Sequence, residues 1–225
     1  FAVQAHAGSV ADGPMSFKPI AASAYGRESD ADIATTPWLI PAGYVQSVVS
    51  DENRLNLYVG NDWVDMNTVN ETGKDAGRYL YRTHEVRGRN SARVDGGSGG
   101  AVSVVDLKTG ITKEVAGRTD WEALDGIVWT PWQTLLFVEE AATTSRPDPD
   151  ARQAQSGLVY ELRLDPLDPT RVQHVSVRPR LGALAHEGIE TDAAGNVHVI
   201  DEDPEGPISK FVPTTYGDLS GGEVY

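Results

Sequence analysis

The sequence predicts an all-β fold, and three observations carry that prediction. Short runs rich in Val, Ile, Leu, Thr, Tyr and Phe recur along the chain, separated almost every time by clusters of Gly, Pro, Asp and Asn. Amphipathic helical periodicity is nearly absent, and its best stretch, Asp150–Gln155, is shorter than two turns. One block of sequence also occurs twice in register, the sign of an architecture built by repetition.

Taken in order, residues 1–40 are rich in Ala, Ser, Gly and Pro and read as an extended arm, which leaves 41–225 for the folded domain. Pro41-Ala42-Gly43 punctuates the entry to a strand at Tyr44–Val49. Asn53–Gly60 alternates well enough for a second strand, Asn61–Gly77 is polar and reads as a loop, and Tyr79–Val86 has aromatic and β-branched residues at strand spacing. Arg87–Gly100 is a glycine-rich loop. Ala101–Leu107 and Ile111–Ala116 flank the turn Asp106–Gly110 as a hairpin. Further strands are predicted at Gly126–Trp129, Leu135–Glu139, Gly157–Leu164, Val172–Val177, Gly188–Thr191, Asn196–Asp201 and Ile208–Val212. Gly221-Gly222 then turns into the start of another strand at Glu223-Val224-Tyr225.

The repeat aligns Glu122–Ile127 through Glu139-Glu140 with Leu184–Ile189 through Asp201-Glu202, and Gly126 to Glu140 and Gly188 to Glu202 each span 14 positions. In both copies an acidic residue precedes Gly-Ile, a turn follows, and a strand ends in two acidic residues. A period near sixty residues made of short antiparallel strands predicts a β-propeller with four-stranded blades. About four blades of strand are present, so an incomplete or truncated ring is expected. The chain opens with Phe1, and Ala5-His6-Ala7 has the small-x-small form that signal peptidase accepts, so a secreted or periplasmic location and a longer parent protein are expected.

Composition narrows the function. The 225 residues carry 19 Lys plus Arg against 33 Asp plus Glu, a net charge of −14 that argues against nucleic-acid partners and anionic membrane surfaces and suits cations. No apolar run approaches the roughly 18 to 20 residues of a membrane span. The absence of cysteine removes disulfides, thiolate nucleophiles and sulfur-ligated metals.

Where first strands of successive blades surround an axis, the repeated acid before Gly-Ile places Asp125 and Glu187 together, and the strand-terminal pairs Glu139-Glu140 and Asp201-Glu202 add oxygen donors. Clustered carboxylates stay ionised only with compensation, and calcium takes six to eight oxygens. His186-Glu187 and His84-Glu85 repeat a His-Glu pair that could ligate a transition metal, although His84 and His174 suit strand packing better. Arg82 and Arg152 are candidates for contact with an anionic substrate. Trp121, Trp129 and Trp132 are expected to pack between blades. No nucleophile-elbow, phosphate-loop, dinucleotide or zincin motif occurs.

The order of several segments resembles the PhoX-like family of bacterial propellers. These are Tyr81–Val86, Gly100–Asp106, Trp121–Trp132, Leu135–Glu140, His186-Glu187-Gly188 and Tyr216–Ser220, and the resemblance spans about two thirds of the chain. It implies an exported protein with a calcium-rich centre, whose characterised phosphatase members hydrolyse phosphate monoesters with iron and calcium. The matching acidic positions are Glu122, Asp125, Glu139, Glu140, Glu187 and Glu202. The family's iron ligands include a cysteine that this chain lacks, so calcium is the expected metal and iron the less expected one. The leading expectation is therefore an exported calcium-dependent phosphoesterase acting on a small phosphate ester. Two alternatives stand beside it. One is a calcium-stabilised, non-catalytic propeller that binds protein partners in an extracellular assembly. The other is a gluconolactonase-like hydrolase, which Glu187-Gly188-Ile189 also suits.

Overall fold

The structure, a computed structural model, describes residues 47–60, 62–87, 92–141 and 156–225. Glu52–Tyr225 forms one compact unit. Its described strands make three four-stranded antiparallel sheets, each a simple meander in which neighbours in sequence are neighbours in space. Sheet 1 is β1 (Val64–Val69), β2 (Tyr79–His84), β3 (Ala101–Asp106) and β4 (Thr112–Gly117). Sheet 2 is β5 (Leu124–Trp129), β6 (Thr134–Glu139), β7 (Val159–Asp165) and β8 (Asp168–Val177). Sheet 3 is β9 (His186–Thr191), β10 (Val197–Asp201), β11 (Ile208–Thr215) and β12 (Asp218–Val224). A single-turn helix α1 (Glu52–Leu55) and a 3₁₀ turn at Pro179–Leu181 are the only helical pieces among the described residues. None of them is long and apolar enough to cross a membrane.

Sheet 2 lies between the other two, and its sequence shows why. Period-2 alternation sends Leu135, Phe137, Tyr160 and Leu162 to one face and Leu136, Val138 and Val159 to the other, so both faces are apolar. The first face meets Tyr79, Tyr81, Val102 and Val104 of sheet 1. The second meets Ile189, Val197, Val199, Phe211 and Leu219 of sheet 3. Trp121 anchors the first interface, edge-on to Phe137 at 4.9 Å between ring centroids, and Phe137 stacks on Tyr160 at 5.5 Å. Trp121 and Trp129 thus pack between sheets as their sequence context predicts.

Turn chemistry fixes the register of the first hairpin. Asn70 is buried at the end of β1; its side-chain amide donates to the carbonyls of Lys74 and Asp75, and its Oδ1 accepts the Tyr79 N–H at 2.8 Å. A buried amide with all three bonds made closes a nine-residue connection that would otherwise be loose.

The strands predicted from Tyr79 onward are present, with boundaries moved by one to four residues or, at the tail, by more, because β12 starts at Asp218. Two expectations fail in the first half. Asn53–Gly60 is α1 followed by a turn, with Asn56 in the left-handed region (φ 49°) and only Tyr58 forming an isolated bridge, to Arg93. A left-handed residue breaks the alternation on which the strand prediction rested. The polar stretch Asn61–Gly77 contains β1, which escapes hydrophobic patterning because neither of its faces is fully buried. Tyr44–Gln46 of the predicted first strand and the predicted arm 1–40 lie outside the described residues, and Ser47–Ser50 take no regular structure.

Because Phe137 is fully buried and contacts two other rings, Phe137→Ala should cost about 3–5 kcal/mol. Ile111→Ala, at an exposed position, should change stability by no more than about 0.5 kcal/mol. Urea unfolding of the two variants checks the contrast.

Candidate functional site

In each sheet the first two strands run antiparallel, so the start of one lies beside the end of the next. Val64 pairs with His84, Leu124 with Glu139, and His186 with Asp201. The residue after each of these six is acidic: Asp65 and Glu85, Asp125 and Glu140, Glu187 and Glu202. The same backbone bond recurs in all three sheets, the second acid of each pair donating its N–H to the carbonyl two residues before the first acid. These bonds, from Glu85 to Trp63, Glu140 to Ala123 and Glu202 to Ala185, are each 2.8 Å long. The repeat seen twice in the sequence therefore occurs three times in the fold.

Close packing of β5 on β9 carries the carboxylates of neighbouring sheets toward each other. A Cβ on Gly126 would stand 2.9 Å from the Glu187 carbonyl oxygen and 3.0 Å from the Ile189 nitrogen, so any other residue would push the strands apart. The glycine beside the acid thus serves strand approach rather than the approach of an ion. Glu140 and Ala185 form an isolated bridge that ties sheets 2 and 3 at this end.

The electrostatics reflect the crowding. Asp125 is 3 % exposed, and burial, reinforced by the charges of Asp65, Glu187, Glu140 and Glu85, pushes its carboxyl up to about 8. Burial and the Glu140 charge raise Asp65, and burial raises Glu85 against the opposing pull of Arg87. Burial would raise Glu140 as well, but hydrogen bonds with Glu202 and Arg87 outweigh it and hold Glu140 below the usual range; Glu202 is raised in turn by its bond to Glu140. Among the described residues one cation answers this set: Arg87 Nη2 lies 2.7 Å from both Glu85 Oε1 and Glu140 Oε2, with its hydrogen aimed at Glu140.

The cluster gathers four of the predicted metal residues, Asp125, Glu140, Glu187 and Glu202. Glu122 and Glu139 are placed differently. Glu139 is fully buried and accepts the backbone N–H groups of Glu122, Gly157 and Leu158 at 2.9–3.1 Å, closing the ends of strands. Glu122 is raised by burial and feels Arg87 but none of the cluster's carboxylates. Sequence reasoning missed Asp65 and Arg87, and it noticed Glu85 only as the neighbour of His84 and not as part of this cluster. The available signal was the acidic residue after β2, at the position of Glu140 and Glu202.

All six donors are oxygens, which suits a hard divalent cation such as calcium and offers no sulfur for an iron centre. Among the described residues no three carboxylates close around one point at metal-ligand spacing, so holding an ion requires side chains of the cluster to rearrange. His186, one residue before Glu187, is fully buried with neither ring nitrogen hydrogen-bonded in good geometry. Burial lowers it to about 4, so it is neutral near pH 7.

Arg82 is enclosed elsewhere, its guanidinium 3.4 Å from Ser103 Oγ. Ser103 also bonds His84 Nε2 at 2.8 Å, and His84 Nδ1 meets Asp62 at 2.7 Å. This order of groups is that of a catalytic triad, but both Ser103 and His84 are sealed from solvent, and Ser103 sits mid-strand with its backbone committed to the ladder. The network pins β1, β2 and β3 together. Arg152 lies outside the described residues.

No family model matches the chain, and no curated protein matches it. Among solved structures, Pseudomonas fluorescens PhoX, determined in complex with the transition-state analogue vanadate, aligns with a TM-score of 0.41 and 17% identity over 72% of this chain. The chain spans 44% of that protein's length.

Asp125 gives the site a pH signature. Its carboxyl titrates near 4 in an unfolded chain and at about 8 in the fold, so the folded state holds the proton more tightly. The resulting stabilisation is complete below about pH 4 and is lost as the pH rises to about 8. In chelator-treated protein the melting temperature should fall between pH 5 and pH 8, and Asp125→Asn should flatten that fall. Calorimetric melts of both proteins across this range check it.

Proposed function

We propose that the three sheets are consecutive blades of a β-propeller whose shared end binds calcium, and that the loaded site hydrolyses small phosphate monoesters in an exported protein. The observation that carries the cation reading is the convergence of Asp65, Glu85, Asp125, Glu140, Glu187 and Glu202 from three sheets, met among the described residues by the guanidinium of Arg87. Carboxylates crowded in this way have a charge imbalance that a divalent ion would relieve. When bound, such an ion supplies polarisation of phosphoryl oxygens and acidifies bound water. The chain's own residues provide the rest. Glu140 and Glu85 orient Arg87, whose guanidinium is just over half exposed and offers N–H donors to a phosphate ester. Without an ion, burial and the neighbouring charges keep Asp125 protonated into the neutral range, so an ion held there would displace that proton. The export expectation rests on Ala5-His6-Ala7, the acidic cysteine-free composition and the PhoX-like resemblance.

A second reading is favoured by the bridge between Glu140 and Ala185. An ion held where two sheets are already tied would lock blades together and need perform no chemistry.

The readings separate in one experiment. At a calcium concentration a hundred times Kd, ligand linkage gives about 2.7 kcal/mol, or roughly 5–10 °C in melting temperature for a chain this size. Chelator-treated protein should gain that shift on adding calcium, and Glu140→Gln with Glu187→Gln should abolish it. Hydrolysis of p-nitrophenyl phosphate that appears only with calcium supports the phosphoesterase. The shift without turnover leaves calcium as a lock between blades, and no shift contradicts both.

A further inference from the structure

β5 begins at the carboxylate cluster and ends at Trp129, and around that far end a cleft of about 470 Å³ opens between the hairpin turns of all three sheets. Its lining differs in charge from the rest of this acidic protein. Lys74, Arg163 and Arg178 share it with Glu161, Asp165 and Asp218, and two of these cations have no acidic partner among the described residues. Arg163 projects from β7 and is exposed, and among the described residues no carboxylate pairs with it. Lys74, in the first turn of sheet 1, donates to the Leu167 carbonyl and so reaches across to the β7–β8 turn, and among the described residues no carboxylate pairs with it. The neighbouring arginines are already committed, Arg178 to Glu161 and Arg171 to Asp165.

One wall of the cleft is preorganised. Glu161 is 5 % exposed and saturated: its Oε1 accepts Trp132 Nε1 at 2.9 Å and Thr134 Oγ1 at 2.7 Å, and its Oε2 accepts Arg178 Nε at 2.8 Å. That bond fixes the half-buried Trp132 ring, which also packs edge-on to Tyr216 and rests on Gly217, where a Cβ would come within 3.3 Å of it. A fixed indole beside two unpaired cations offers an apolar platform and an anion clamp within one sugar-sized space.

We propose that this cleft binds an acidic monosaccharide, its carboxylate or phosphate held by Arg163 and Lys74 and its ring lying against Trp132. The site is separate from the carboxylate cluster and does not depend on the cation reading. The test is isothermal titration of the full chain in chelator with glucuronate and with glucose 6-phosphate, using glucose and inorganic phosphate as controls. At least one acidic sugar should bind with Kd below about 1 mM. Arg163→Ala and Lys74→Ala, both at exposed positions, should each weaken it by roughly fivefold or more while melting as the parent protein does. The stronger of the two ligands tells a uronic acid site from a sugar-phosphate site. The proposal is overturned if neither acidic sugar binds in that range, if glucose or inorganic phosphate binds as tightly, or if the double variant binds like the parent.

Discussion

Pairing the first two strands of a sheet antiparallel forces the beginning of one and the end of the next into the same place, and here both positions are acidic. Repeated in three sheets, that arrangement brings six carboxylates to one end of the molecule. The rest of the local structure accommodates this crowding. Gly126 lets β5 and β9 come close, Arg87 bridges Glu85 and Glu140, and Asp125 answers burial among like charges by keeping its proton into the neutral range. Groups that repel one another are not a route to stability, and their repetition is the observation on which the proposal of a bound cation rests.

The apolar core makes that arrangement affordable. Sheet 2 is buried on both faces, with a ring cluster around Trp121 and Phe137 toward sheet 1 and an aliphatic face with Phe211 toward sheet 3. Such a slab tolerates electrostatic strain at its edge because the strain is confined to strand ends, while apolar contacts run the length of the strands. The two ends of the slab also differ in character. One gathers carboxylates; the other sets Lys74 and Arg163 in one cleft with a fixed indole.

Much of this was legible in the sequence, and the failures have physical causes. The strands of sheets 2 and 3 announce themselves because their apolar residues alternate or run continuously between turn residues. The equal spacing of Gly126 to Glu140 and Gly188 to Glu202 revealed two copies of the acidic repeat. The third copy was hidden because Asp65 is followed by Met66 rather than Gly-Ile, and its hairpin is longer, with 20 positions from Asp65 to Glu85 against 15 from Asp125 to Glu140. Composition cannot say which member of Glu139-Glu140 faces the cluster. Strand pairing decides that, turning Glu139 into the sheet to accept three backbone N–H groups and leaving Glu140 for Arg87. Arg82 likewise looked available for an anion, whereas its position on β2 encloses it beside Ser103.

Terbium luminescence offers the most direct measurement of the central claim, since the ion replaces calcium at oxygen sites and emits when an excited indole lies nearby; Trp63, two residues before Asp65, is exposed at this end. Titration of chelator-treated protein should give saturable, tryptophan-sensitised emission that calcium displaces. Neutralising one acid per sheet, as in Asp65→Asn, Asp125→Asn and Glu187→Gln, should weaken it each time. Emission indifferent to all three substitutions, or absent altogether, would show that the three sheets do not share an ion.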